Sequence, residues 1–447
     1  MDIPNTLKDW ALSVPLPIYI TGGYVRNALM GLPSKDIDIA GAFSSNKLYG
    51  FLPKTASFNI VNSELDTSII IIDDVRLEYT PFRTEEYDGG EHTPKSSVFI
   101  KDPYKDSLRR DFTCNSLYYD IKNDKVLDFH NGIDDINHKI LRAVVNPDNV
   151  FSYDGLRILR MIRFGCELDF EIDPDTYVSA QKFKDNLKYI SCERIREEFE
   201  KILNADQKYG IQDAHYKGLK LIGELKLWKY IIPEIEDTIG FRQNSKYHTY
   251  DVYNHLLETV KIAHPQVRLV ALLHDIGKPA SQKAYGNMHH HSEIGIEIAK
   301  KRLGQNGLKY PNATVEKIVR LIDAHMYDLK EQTSPEKLRK FVIKNYDILD
   351  ELIQLVRADT LAHGKGKHDR SIRFENARKQ ILELGLPKSL KDLAINGNDL
   401  LIAYPDILKH QLGTILDELL NACIIQKVKN QKEQLIPYAS KIIKKLS

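Results

Sequence analysis

Hydrophobic spacing changes its period near residue 150, and that change restricts the fold more than any other feature of the chain. Up to about residue 140, short β-type runs dominate: PIYI (17–20), SIIII (68–72), VRLEYT (75–80), SVFI (97–100) and KVLDF (125–129). From about 150 onward apolar residues recur at i, i+3 and i+4. The clearest cases are DGLRILRMIRFG, ERIREEFEKIL, VRLVALLHDIG, SEIGIEIAKKRL and EKLRKFVIKNYDILDELIQLVRAD. This predicts an α+β chain: a head with a mixed sheet and helices, then a long all-α remainder. The polar stretches 241–248 and 364–370 read as connectors.

Composition narrows the class of protein. A chain of 447 residues has room for several domains and sizeable cores. No uncharged apolar run approaches the roughly 18 residues that a membrane span needs. The opening MDIPNTLKDWALSVPLPIYI carries an early Asp and no basic stretch before an apolar one, so it reads poorly as a secretory leader. Cys114, Cys166, Cys192 and Cys423 are scattered without a CxxC, which fits free thiols in a reducing cytoplasm. The net charge of +1 does not exclude a nucleic-acid partner, because local patches outweigh the sum. Arg157, Arg160 and Arg163 fall close to one helix stripe, and KVKNQKEQLIPYASKIIKKLS is strongly basic.

Three features of the head point to phosphate chemistry. Gly22 and Gly23 follow a strand and precede a helix, where bare backbone can approach an anion, with Arg26 one turn further on. Within about a dozen residues comes SKDIDIAG (34–41), in which Asp36 and Asp38 share one strand face and Ile37 and Ile39 the other. Like charges on one face call for solvent or a cation between them. In VRLEYT the apolar side carries Val75, Leu77 and Tyr79, so Glu78 projects from the polar side as a third carboxylate. Three hard oxygen ligands suit a pair of Mg²⁺ ions in in-line phosphoryl transfer. The simpler alternative for Glu78 is a salt bridge with Arg76 or Arg83.

Further along stand LRRDFTCNSL (108–117), PDNVFSYDGLRILRMIRFGCELDFEI (147–172) and ISCERIREEFEKIL (190–203), the last with Ser191 as helix cap. The order GG-x-V-R, D-x-D, E-x-x-x-F-R, R-R-D-F-T-x-N, D-x-x-R and E-R-I-x-x-E resembles the class II tRNA nucleotidyltransferases, which include bacterial CCA-adding enzymes and poly(A) polymerases. The likeness covers about residues 16–205, and LKDLAINGNDLL (390–401) resembles a body-and-tail segment of that family. It implies that Asp36, Asp38 and Glu78 hold catalytic Mg²⁺, and that Gly22, Gly23 and Arg26 meet the triphosphate. By the same likeness Arg110, Asp111 and Asn115 hold the nucleotide and its ribose. Asp154 and Arg157, on a base-reading helix, pair with the incoming base as a protein template. Arg160 and Arg163 take phosphate or tRNA backbone, although pairing with Glu167 or Asp169 would also satisfy that helix. The segment 84–96 stands where the family has a loop linked to switching from C to A addition. Asn27, Tyr153 and Gly155 depart from the family pattern, which usually has Asp, an acid and Pro there.

A second constellation follows. His255, adjacent His274 and Asp275, and distant Asp359 offer a mixed imidazole and carboxylate set, with Gly277 and Pro279 stopping the helix beside them. The set resembles the HD phosphohydrolase superfamily and implies a site for a divalent transition metal or Mg²⁺. His291 and His325 lie where two-metal members place extra ligands. The expected division is a head (1–140), a helical neck (141–240), an HD domain (241–365) and a helical body and tail (366–447). The resemblance implies CCA addition to tRNA from CTP and ATP, with no membrane partner and an accessory phosphohydrolase. Poly(A) synthesis, CC-only or A-only addition, and an HD hydrolase with a nucleotide-binding head remain open on these residues.

Overall fold

The computed structural model describes residues 1–87, 90, 94–243, 249–363 and 368–446. The chain forms two compact units, Met1–Glu236 with Gly307–Lys309 and Asp237–Asn306 with Tyr310–Ser447.

The first unit is built on a seven-stranded sheet. Its strands are β1 (Ile18–Thr21), β2 (Ile37–Gly41), β3 (Ser57–Asn62), β4 (Thr67–Ile72) and β5 (Val75–Pro81). After a separate ribbon of β6 (Arg83–Glu86) and β7 (Ser96–Phe99), β8 (Leu117–Asp120) and β9 (Lys125–Asp128) complete it. The spatial order is β3-β4-β5-β2-β1-β8-β9. Asp73 adopts a left-handed φ of 51° in the tight β4–β5 turn, a conformation that Asp tolerates by bonding its own backbone.

One parallel pairing sets up the chemistry. β2 and β5 run parallel, with Ile37 opposite Leu77, Asp38 opposite Glu78 and Ile39 opposite Tyr79. Ile37, Ile39, Leu77 and Tyr79 are all buried, so burial on one face fixes the register that puts the two carboxylates together on the other. β1 lies antiparallel to β2 with Thr21 opposite Asp38, so the chain leaves β1 beside the same carboxylate. Gly22 turns there with φ +67°, and a Cβ would sit 3.5 Å from Asp38 Oδ2.

The helical part departs from the sequence reading in three places. The expected helix carrying both Asp154 and Arg157 is two helices, Pro147–Tyr153 and Leu156–Leu168, and Asp154 is extended at the break (φ −146°, ψ 106°). Gly155 occupies the corner because a Cβ there would lie 2.6 Å from the backbone of Asn186, so neither the family's Pro nor any larger residue fits. Ser191 does stand before the helix Cys192–Leu203, but its side chain makes no capping bond. Gly277 and Pro279 do not stop a helix. They begin the helix Lys278–Tyr285, where Pro at the second position loses no hydrogen bond.

The second unit is entirely helical among the described residues. Its first part packs Val252–Ile262, Arg268–Leu273, His291–Leu303, Asn312–Ala324 and Leu349–Ala362. A Cβ on Gly277 would lie 2.1 Å from the carbonyl of His291, so glycine lets these two segments touch. The last part has its own core around Leu400, Ile415, Leu419 and Leu435. No helix among the described residues is long and apolar enough to cross a membrane.

Candidate active site

A cleft of about 1010 Å³ in the first unit is bordered by all the candidate metal-binding and nucleotide-binding residues of the head and neck. Asp36, just before β2, and Asp38 are exposed at its lip, with Glu78 half-buried beside them. Asp38 is open along the cleft while protein crowds its other sides. That crowding, then the charges of Glu78 and Asp36, pushes its carboxyl up to about 6 against the pull of Arg110 and Arg160. A carboxylate raised by its like-charged neighbours fits a cation site, and the all-oxygen donor set fits a hard divalent ion.

Behind this lip the arginines are held in place. Arg110 donates to Tyr118 Oη (2.7 Å) and to Asp106 (3.3 Å), and its guanidinium leans toward Gly22. Arg160 donates to Asp111 Oδ2 through two nitrogens at 2.8 and 2.5 Å. Burial opposes ionisation of Asp111, yet Arg160 outweighs it and leaves the carboxyl at about 2. Asn115 donates to Asp111 (3.3 Å) and accepts from Arg26 (2.5 Å). Arg26, Asn115, Asp111 and Arg160 are thus already bonded into one chain as a rigid floor.

Arg26 is buried and also donates to Asn27 Oδ1 at 3.1 and 2.8 Å. Asn27 in turn donates to the Pro33 carbonyl (3.2 Å) and to Tyr209 Oη (3.0 Å). An ionised Asp in its place could accept but not donate, so the departure from the family pattern has a bonding reason. Tyr209, absent from the sequence reading, joins this knot from 182 residues away, and no local signal marked it.

At the other end of the cleft Asp154 and Arg157 are buried and 3.7 Å apart. Asp154 accepts from the Leu156 N–H (2.9 Å), and Arg157 donates to the Arg109 carbonyl (2.7 Å). Arg163 differs from its neighbours. It is 5% exposed, donates to Glu198 (2.6 Å) and Glu167 (3.1 Å), and stacks on Phe164. The alternative of pairing with Glu167 is realised for this arginine. Asp169 instead bonds Lys217. Glu198 was hidden in an amphipathic helix pattern that gave it no distinguishing mark.

In the second unit His255, His274, Asp275 and Asp359 converge, and all are buried. His255 Nε2 lies 3.1 Å from Asp359 and 3.6 Å from Asp275; His274 Nε2 lies 3.5 and 3.4 Å from the same two. His291 Nε2 stands 3.3 Å and His325 Nε2 4.0 Å from Asp275 Oδ1. The ligand atoms group as His255–His274–Asp359 and Asp275–His291–His325.

Backbone carbonyls set the tautomers. Nδ1 of His274, His291 and His325 sits 2.8, 2.7 and 2.6 Å from the carbonyls of Ala271, Met288 and Ile322. A carbonyl only accepts, so each Nδ1 carries a proton and each Nε2 is the nitrogen turned inward, free to ligate once it is unprotonated. Nε2 of His274 and of His325 has no hydrogen-bond partner although buried, as a metal-ligating nitrogen would be. Burial, then neighbouring His274, holds His325 down to about 3, so it is neutral and able to ligate. Burial opposes a charge on His274, but Asp275 and Asp359 raise it to about 10. Two cations close the shell: Lys278 bonds Asp275, and Arg370 donates to Asp359 Oδ2 (2.8 Å).

Residues 18–142 match the poly A polymerase head domain, and 247–359 match the HD domain. Residues 169–239 match the probable RNA and SrmB-binding site of polymerase A. The chain is 35% identical to a CCA-adding enzyme of Ligilactobacillus salivarius over 44% of its own length and 48% of that protein. It is 24% identical to the CCA-adding enzyme of Enterococcus faecalis over 98% of its length and 97% of that protein. A crystal structure of the Bacillus stearothermophilus CCA-adding enzyme in complex with CTP superposes with a TM-score of 0.71 at 22% identity, covering 100% of this chain and 99% of that one. The carboxylate lip and the arginines behind it lie in a part of the chain matched largely by the poly A polymerase head domain, and the histidine–aspartate cluster in and around the part matched by the HD domain. In its head, its RNA-binding segment and its HD domain the chain is similar to the class II tRNA nucleotidyltransferases, which include the CCA-adding enzymes and poly(A) polymerases.

Proposed function

We propose that the protein adds CCA to the 3′ end of tRNA, taking C from CTP and A from ATP, in the cytoplasm. The observation that carries this is the two-ended cleft. Paired carboxylates at Asp38 and Glu78 lie at one end, and the Asp154–Arg157 pair at the other. Phosphate chemistry and base recognition then belong to one protein surface, and no nucleic-acid template is required.

In this reading the tRNA 3′-hydroxyl attacks the α-phosphorus of the nucleotide. A new P–O bond forms, the bond to the β-phosphate breaks, and pyrophosphate leaves while the hydroxyl proton passes to solvent. Asp36, Asp38 and Glu78 hold divalent metal, and Mg²⁺ suits their oxygens best. What a bound cation supplies is charge neutralisation at the triphosphate and acidification of the attacking hydroxyl. Gly22 lets the triphosphate approach the backbone, with Gly23 and the helix start behind it and Arg110 at its side. Arg26 and Arg160 act through Asn115 and Asp111, keeping the nucleotide pocket rigid. Asp154 accepts from, and Arg157 donates to, the Watson–Crick edge of C or A. Lys201 and Lys208, at the cleft border, face the incoming RNA backbone.

The HD cluster supports a second, accessory activity. Its donor set fits a divalent transition metal or Mg²⁺ and suits cleavage of a phosphomonoester or phosphodiester. The domain reading that goes with both sites is head 1–140, neck 141–240, HD domain 241–365, and body and tail 366–447.

The test is incubation of the purified protein with tRNA ending before CCA, with each NTP alone and with CTP plus ATP. Products ending in CCA are expected only with both nucleotides. Products ending in CC or in a single A, or a long A tail regardless of tRNA shape, would assign another branch of the family.

A further inference from the structure

Among the described residues, one arginine of the cleft differs from the rest in its partners. Arg83, Arg109, Arg110, Arg157, Arg160 and Arg163 each have a carboxylate oxygen within 3.7 Å. Arg26 is more deeply buried than any of them, at 2% exposure, and among the described residues it forms no ion pair. Its hydrogen bonds all end on neutral oxygens. Nε and Nη2 donate to Asn27 Oδ1 (3.1 and 2.8 Å), Nη1 to Asn115 Oδ1 (2.5 Å), and Nη2 also to Tyr209 Oη (3.2 Å). The Phe164 ring, with its centroid 5.3 Å from the guanidinium, adds a π face and no charge.

A guanidinium stays charged at any working pH, and a buried charge without a counter-charge is costly. A fold tolerates it where a ligand brings the opposite charge, and the position of Arg26 says which ligand. A Cβ on Gly23 would lie 3.5 Å from Arg26 Nη2, so the guanidinium sits against the Gly22–Gly23 turn. Bare backbone at that turn lets an anion come close. The residue that leaves Arg26 uncompensated is its own neighbour. Asn27 stands where the family usually has Asp. An Asp there would accept the same two bonds from Nε and Nη2 and would neutralise Arg26 inside the protein. Asn27 accepts them through one amide oxygen, which holds the guanidinium in place and leaves its charge uncancelled.

We infer that Asn27 is a positioning residue that sets the polyphosphate affinity of the cleft, by holding Arg26 while leaving its charge for the ligand to neutralise. The inference rests on the proposed nucleotidyl transfer for the identity of the ligands, which are the nucleotide triphosphate and the pyrophosphate product. Both carry a diphosphate, so both gain from an uncompensated cation beside the turn. The cleft therefore holds nucleotide tightly and gives up pyrophosphate slowly. Arg26 acts at the phosphate end, so CTP and ATP are affected alike.

The experiment uses the full chain. Binding of inorganic pyrophosphate is followed by calorimetry without added divalent metal, and kcat and KM for CTP and for ATP are measured alongside. Asn27→Asp should weaken pyrophosphate binding about 10- to 100-fold, the scale of one unit charge acting across several ångströms of protein. KM for both nucleotides should rise with it. Asn27→Ala loses the same donor to Pro33 and Tyr209 but adds no charge, and should bind pyrophosphate at least about tenfold more tightly than Asn27→Asp. Asn115→Asp, which adds its charge beside Nη1, should act as Asn27→Asp does and serves if that variant fails to fold. A purely structural role would make the Asp and Ala variants of Asn27 lose affinity equally. That equality, or a wild type that adds CCA normally and binds no pyrophosphate under these conditions, overturns this inference alone. A wild type that binds pyrophosphate but adds neither nucleotide overturns the CCA-adding reading and leaves the anion site standing.

Discussion

The head cleft and the HD cluster solve opposite problems with similar side chains. In the head, acidic groups stand exposed at a lip while Arg160 and Arg26 behind them are bonded to Asp111 and Asn115. In the HD cluster every candidate ligand is buried, the histidine tautomers are set by carbonyls, and Nε2 of His274 and of His325 points inward unpartnered. The open site has room for a triphosphate and a polynucleotide end. The closed one brings the ligand atoms of each group within 4.8 Å of one another, close enough to share a metal ion. Openness leaves the head dependent on ion pairs for rigidity, whereas burial gives the HD cluster its rigidity and makes an uncompensated charge costly.

The strongest way to break the comparison is to empty the lip. Asp36→Ala combined with Asp38→Ala should lower CTP incorporation by about 10³-fold or more, the scale of lost metal and charge stabilisation in phosphoryl transfer. The HD cluster should keep its metal content, measured by elemental analysis. A double variant that still adds nucleotides would place the chemistry elsewhere.

Next in size is Arg370→Ala, in the closed site. Arg370 touches Asp359 rather than the metal position, so its loss should weaken metal binding at the HD cluster about 10- to 100-fold while nucleotide addition continues. Metal titration followed by calorimetry measures it.

Glu198→Ala tests the ion-paired support of the open site. It strips one of two carboxylates from buried Arg163 and should destabilise the first unit by about 2–3 kcal/mol, somewhat less than full loss of a buried partner because Glu167 remains. Thermal unfolding reports this. A variant with wild-type stability but weakened tRNA binding would instead make Arg163 an RNA contact.

The smallest effect is in pH. Asp38 holds its proton up to about 6, so the metal-free fold gains stability from it as pH falls through that value and loses it as pH rises. A metal must displace the same proton. Metal affinity at the lip should therefore fall by up to about tenfold per pH unit below 6, and stay flat above.

How much of this was legible differs between the sites. The Gly22–Gly23 turn, the Asp36–Asp38 spacing and the His274–Asp275 pair are local patterns, and each appears where the strand or helix period places it. The α+β division was equally legible, because a switch from period 2 to period 3.6 is written in consecutive residues. The break at Asp154 was not, because the apolar periodicity runs straight through it. The Gly155–Asn186 approach that accompanies the break is a contact between distant segments. Residues 88, 89 and 91–93 of segment 84–96 lie outside the described residues.

Residue types and their local faces are written along the chain: which carboxylates share a strand side, where glycine frees the backbone, which helices have an apolar stripe. Only the tertiary structure decided partnership. It set Glu78 beside Asp38 through the β2–β5 register, tied Arg26 to Asn115 and Tyr209, spent Arg163 on Glu198, and drew His291 and His325 onto Asp275. The physical reason is range. Periodicity and turn chemistry act over a few residues, whereas charge pairing, close backbone approach and ligand convergence act between groups that only the folded core brings together.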